Sequence, residues 1–118
     1  MSNLVYLNKR YVEFKDAKIH INDRGLQFSD SVYEVLKVIN TKLLDFDMHM
    51  KRLKYSTKEL KFNIEIKNNF FKKIFINLID NNKLKNGIIY LQITRGEQAR
   101  EHVYKKNLKP NIIAYTAK

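Results

Sequence analysis

A chain of 118 residues and 14.1 kDa is long enough to bury one hydrophobic core and too short for two, so a single domain over 1–118 is expected. An apolar fraction of 44%, with 7 Phe and 7 Tyr, excludes a disordered chain, and the absence of cysteine excludes a disulfide framework or thiolate metal ligands and fits a reducing cytoplasm. The formal charge of +11 would attract nucleic acid, but most of the 23 basic residues are lysines scattered along the chain without a basic-aromatic motif. The charge therefore reads as composition rather than as a nucleic-acid footprint.

The opening MSNLVYLNKRYVEF lacks the apolar centre of a signal peptide, and no apolar run approaches the ~20 residues of a membrane span. Val5 to Asn8 and Tyr11 to Phe14 flank Asn8-Lys9-Arg10 as an N-terminal hairpin would. Ala17 to Ile21 reads as a further short strand running into a turn at Asn22-Asp23-Arg24-Gly25. Residues 32–46 form two strand-like runs joined at Asn40-Thr41, a second hairpin. Alternation then puts Tyr33, Val35, Lys37 and Ile39 on one face and Val32, Glu34, Leu36 and Val38 on the other.

Asp47 is the expected N-cap of a helix over Met48 to Leu60, on which Arg52 and Tyr55 share a flank. A second helix is expected over Ile66 to Asn81, with Phe70, Ile74, Phe75, Leu78 and Ile79 as its apolar stripe. Gly87 to Thr94 and Ile112 to Thr116 read as strands on either side of a polar loop around Gly96 to Asn107. Segregated strands and helices predict an α+β fold, a mostly antiparallel sheet with two helices packed on one face.

Three places could carry chemistry: Tyr33 with Lys37, Arg52, and the segment Thr94 to His102. Taken singly, a rim tyrosine, one lysine among many and an arginine lying over a helix flank need no function. The loop stands out because two arginines and a histidine fall close together, suited to recognising an anion. His20, His49 and His102 are too far apart in sequence for a metal-ligand motif, so no metal site is expected. Neither a nucleophile elbow nor a phosphate-binding glycine loop is present.

Three ordered blocks, DRGLQFSDSVYEVLKV, HMKRLKYS and IIYLQITRGEQAREHVY, resemble the D-amino-acid aminotransferases of fold-type IV, which use pyridoxal phosphate. The resemblance spans nearly the whole chain. It implies the N-terminal domain of such an enzyme, with the cofactor in a cleft against a larger C-terminal domain. Arg52 matches the arginine that holds the cofactor phosphate. Tyr33, Arg100 and His102 match the trap for the substrate carboxylate, the arginine and histidine reaching across from the partner subunit of a homodimer, and Val35 and Lys37 match positions lining the same pocket. The Arg-x-His pair separates this branch from branched-chain aminotransferases and aminodeoxychorismate lyases, which share the first two blocks.

The same resemblance places the Schiff-base lysine, and the carboxylate facing the pyridine nitrogen, beyond residue 118, so no catalytic residue is expected in this chain. It is expected to be inactive alone and to need a separately encoded C-terminal half to transfer amino groups between a D-amino acid and a 2-oxo acid. The alternatives are a non-catalytic remnant or self-associating module and, last, a basic nucleic-acid-binding domain. Ser29 and Ser31 stand where the family has glycines, and a serine forced to positive φ there would cost on the order of 1 kcal/mol and could shift Tyr33.

Overall fold

The computed structural model describes residues 3–118, and within them the chain forms one six-stranded, wholly antiparallel sheet in the order β2-β1-β6-β5-β3-β4. The strands are β1 (Leu4–Leu7), β2 (Arg10–Glu13), β3 (Ser31–Ile39), β4 (Lys42–Leu43), β5 (Gly87–Thr94) and β6 (Asn111–Ala117). The helices are α1 (Arg24–Phe28), α2 (Phe46–Glu59) and α3 (Asn68–Asn81), with one 3-10 turn at Phe14–Asp16. The expected α+β fold is present, with α2 and α3 covering one face of the sheet and α1 as a short third helix that the sequence reading lacked.

Both hairpins close through two residues at positive φ, Asn8 and Lys9 in the first and Asn40 and Thr41 in the second. This is the backbone that matches strand twist in a tight hairpin. Thr41 is β-branched and strained there, and its amide is held by the Lys85 carbonyl at 2.9 Å. Strand β3 alternates as its sequence requires: Val32, Glu34, Leu36 and Val38 are buried, while Tyr33, Val35, Lys37 and Ile39 are exposed. Its partners on β5 across the buried face are Ile93, Leu91 and Ile89, and Ala114 of β6 continues the row.

Against that face pack Met50 and Leu53 of α2 and Phe71, Ile74, Phe75, Leu78 and Ile79 of α3. Burying each large side chain is worth roughly 1.5–3 kcal/mol, so this single layer supplies the driving force for the domain. The stripe on α3 differs from expectation by one position, because Phe71 is 1% exposed and Phe70 is 45% exposed. Phe70 instead sets its ring edge-on to Tyr6 and to Phe71 at the rim.

Three other expectations are corrected. Ala17 to Ile21 is not a strand; it follows the 3-10 turn as irregular chain outside the six-stranded sheet, with Ile19 and Ile21 exposed. Asn22 to Gly25 is a turn only in its first half, where the Asp23 amide donates to the His20 carbonyl at 3.0 Å; from Arg24 the chain is α1, which Asp23 caps by accepting the Gly25 amide at 2.7 Å. Helix α2 begins at Phe46 with Asp45 as its N-cap, so Asp47 lies in the first turn, where its charge favours the helix dipole.

Candidate functional site

Tyr33, Val35 and Lys37 share the sheet face turned away from the helices, as alternation predicts. Tyr33 is 62% exposed and stacks on Tyr90 of β5, with centroids 5.8 Å apart and planes 16° from parallel. Tyr90 in turn lies 5.2 Å from Tyr115 of β6, and Phe14 meets Tyr115 edge-on at 6.4 Å. The result is a row of aromatic rings across β3, β5 and β6. Burial pushes the Tyr90 phenol up, with Tyr115 and Tyr33 adding to the effect. Such a face offers π surface and phenol groups to whatever packs over it.

Arg52 lies nearly two turns into α2, and its Nε and Nη2 donate to the Glu34 carboxylate at 2.9 and 2.8 Å. His49 Nδ1, one turn earlier, meets the same carboxylate at 2.7 Å. The Glu34 side chain is only 2% exposed, whereas that of Arg52 is 66% exposed. Burial alone would push the Glu34 carboxyl up; the hydrogen bonds and charges of Arg52 and His49 outweigh it and hold the group below its ordinary value. Glu34 raises the Arg52 guanidinium in return, with a smaller contribution from the nearby Tyr33.

The guanidinium is thereby aimed from behind, leaving Nη1 without a hydrogen bond among the described residues. A cavity of about 420 Å³ opens beside it, lined by Met48, His49, Lys51, Arg52 and Tyr55. An anchored arginine facing open space with a free donor edge suits an incoming phosphate or carboxylate. The sequence reading missed Glu34 as part of this arrangement. The signal was available, since a lone carboxylate on an otherwise apolar strand face has to find a buried partner.

The loop after β5 divides its charges. Arg95 turns inward, donating from Nε to Asp30 at 2.7 Å and from Nη2 to the Leu60 carbonyl at 2.7 Å. Arg100 and His102 stay exposed, the guanidinium 5.0 Å from the Phe28 ring centroid and the imidazole 5.5 Å from it. A groove of about 680 Å³ at His102 is lined also by Lys61, Val103, Tyr104 and Lys106. Two of the three expected trap residues are thus gathered at Phe28, while Tyr33 keeps its own company at Tyr90.

Two glycines explain how the first and third sequence blocks meet. The Arg24 amide donates to the Gly96 carbonyl at 2.9 Å, and Gly96 has φ +120, a conformation costly for any other residue. A Cβ on Gly25 would come within 2.6 Å of Thr94 Cγ2. Asp23, fully buried, seals the contact by accepting from Thr94 Oγ1 and Asn111 Nδ2 as well as from Gly25.

Comparison with known proteins decides the family. The model of class IV amino-transferases matches residues 31–118. The chain belongs to the class IV aminotransferases. It is 38% identical over 112 residues to a D-alanine aminotransferase of Bacillus licheniformis and 34% identical over 113 residues to that of Staphylococcus aureus N315. Each match takes in 95% of this chain but 40% of the relative, so the chain spans about two fifths of the length of these curated relatives.

Solved class IV structures share the fold. The branched-chain amino acid aminotransferase of Escherichia coli superposes with a TM-score of 0.92 at 20% identity, over 99% of this chain and 41% of that one. The 4-amino-4-deoxychorismate lyase of Pseudomonas aeruginosa gives 0.79 at 21% identity, over 97% and 39%. No helix among the described residues is long and apolar enough to cross a membrane, and no group of three or more metal-ligating side chains occurs among them.

Proposed function

We propose that this chain is the cofactor-phosphate and substrate-carboxylate half of a pyridoxal-phosphate-dependent D-amino-acid transaminase. The observation that carries the reading is the division of labour in the segment Thr94 to His102, where Arg95 is consumed by Asp30 while Arg100 and His102 are left facing solvent. The likeness to D-alanine aminotransferases over 95% of the chain supports the D-amino-acid branch.

Arg52 fits the phosphate end of the cofactor, since Glu34, itself bonded by His49, holds its guanidinium by one edge and leaves the rest exposed. The bound cofactor supplies an electron sink for the bond changes at the substrate α-carbon. Tyr33 offers a phenol hydrogen bond to the substrate carboxylate, and Arg100 a bidentate one, with His102 beside it. Val35 and Lys37 wall the same side of the pocket. Arg100 and His102 would serve the site of a partner subunit, which makes a homodimer part of the reading. The lysine that anchors the cofactor comes from residues outside this sequence, in a C-terminal half.

The test joins residues 1–118 to the remainder of the Bacillus licheniformis D-alanine aminotransferase and measures D-alanine turnover with 2-oxoglutarate as acceptor. Turnover by the chimera, absent from the 118-residue chain, is expected. An inactive chimera that folds and binds pyridoxal phosphate would overturn the reading, as would turnover by the chain alone.

A further inference from the structure

Residues 95–110 join β5 to β6 with no strand or helix of their own, a length at which a loop is either functional or disordered. This one is held by its backbone. Arg24 donates from Nη1 to the Glu101 carbonyl at 2.6 Å and from Nη2 to the His102 carbonyl at 3.2 Å. The same guanidinium gives Nε to Asp30 at 2.8 Å, so one planar group spans α1, the turn before β3 and the loop. Asp30 also takes Nε of Arg95, whose Nη2 reaches the carbonyl of Leu60, the C-cap residue of α2. All three side chains are largely buried.

Tyr104 closes this cluster, its ring centroid 3.6 Å from the Arg95 guanidinium carbon and 5.7 Å from that of Arg24. Phe28 lies between the held arginine and the presented pair, 4.5 Å from Arg24 and 5.0 Å from Arg100. Gln98 pins the loop from inside, donating to the Val103 carbonyl at 3.1 Å and accepting the Lys105 amide at 3.0 Å. The backbone at 101 and 102 is therefore fixed by largely buried side chains, while the side chains of Arg100 and His102 are exposed.

We propose that Arg24, clamped by Asp30, is a positioning residue that sets where Arg100 and His102 stand for carboxylate recognition, a role that rests on the reading of those two as the carboxylate trap. A guanidinium is needed because its planar fork reaches the carboxylate and the two carbonyls from three separate nitrogens; a lysine keeps the charge opposite Asp30, but its three donors sit on one nitrogen and cannot span the same acceptors. Asp30 is needed because two guanidiniums this close repel unless a carboxylate lies between them. The cluster thereby couples the loop to α2, the helix that carries Arg52.

The test is Arg24→Lys, read in two ways. In the 118-residue chain, NMR follows the ring-proton shift that Phe28 imposes on His102 and the amide mobility of residues 99–103. The variant should lose the His102 shift and gain mobility there, with the amide shifts of β3 and β5 unchanged; an unmoved His102 signal overturns the proposal. In the chimera, the KM for D-alanine should rise about tenfold or more, with kcat changed less than about threefold and cofactor binding unchanged. A fall in kcat at constant KM overturns it.

If the wild-type chimera is inactive, the functional reading falls while the NMR comparison still decides the positioning role. Should Arg24→Lys fail to fold, Tyr104→Leu strips only the ring over both guanidiniums. The same His102 shift and KM changes are then expected, and their absence overturns the proposal.

Discussion

Ser29 and Ser31 flank Asp30, yet their backbones differ. Ser29 caps α1 in the left-handed region at φ 55, while Ser31 is extended and paired with Thr94 in β3. Of the two sites matching family glycines, only Ser29 carries strain, and Tyr33 still stacks on Tyr90. Ser29→Gly is expected to raise stability by roughly 0.5–1 kcal/mol, the left-handed cost relieved less some unfolded-chain entropy. Ser31→Gly should lower it by a similar roughly 0.5–1 kcal/mol and lose the hydroxyl that accepts from Gln92. Paired urea melts check both signs.

Glu34 makes a prediction in pH. Its folded pKa lies below the ordinary value of 4.5, so its ionisation stabilises the fold above that value and the contribution fades as pH falls through the folded pKa. Glu34→Gln should therefore melt lower at neutral pH and show a flatter decline below about pH 4.5. Asp30, held low against its own burial by Arg95 and Arg24, leaves a residual acid slope in that variant. Thermal melts across the acid range measure the difference; parallel curves would show that Glu34 stays neutral or unpaired.

At the scale of elements, α3 separates two neighbouring phenylalanines. Phe71 is sealed between α3 and the sheet, and Phe71→Ala should cost about 3–5 kcal/mol, enough to leave a marginal domain unfolded. Phe70→Ala removes a half-exposed ring at the edge of Tyr6, and its cost should be about 1 kcal/mol. Denaturant midpoints of the two variants check the register of the helix directly. A larger loss for Phe70→Ala than for Phe71→Ala would place α3 in the register expected from sequence, with Phe70 inward.

Across the whole molecule two features stand out, a formal charge of +11 and an aromatic row on the sheet face away from the helices. Scattered lysines repel one another, so added salt should raise the melting temperature of the chain, while raising the pH toward its pI near 9.8 acts in the same direction. A melting temperature indifferent to salt would mean the charges are already compensated by ion pairs. The proposed function puts the Tyr33 face of the sheet against the cofactor cleft, so in the chimera Tyr33, Tyr90 and Tyr115 should become protected from tyrosine-modifying reagents relative to the isolated chain.

The sequence by itself determined the alternation of β3, both hairpins, the two long helices and the family, because periodic burial and turn chemistry are local and the three blocks are contiguous. It also placed Arg52 on a helix flank beside Tyr55, and Arg100 and His102 in the loop. Tertiary structure alone decided that Asp23 caps a helix, that Ala17 to Ile21 stays outside the sheet, that Phe71 rather than Phe70 faces inward, and that of the two loop arginines Arg95 is spent on Asp30. Those outcomes depend on partners distant along the chain, such as Leu60 with Arg95 or Glu101 with Arg24. A buried charge takes its role from whatever the fold brings within hydrogen-bond reach, which no spacing within one segment encodes.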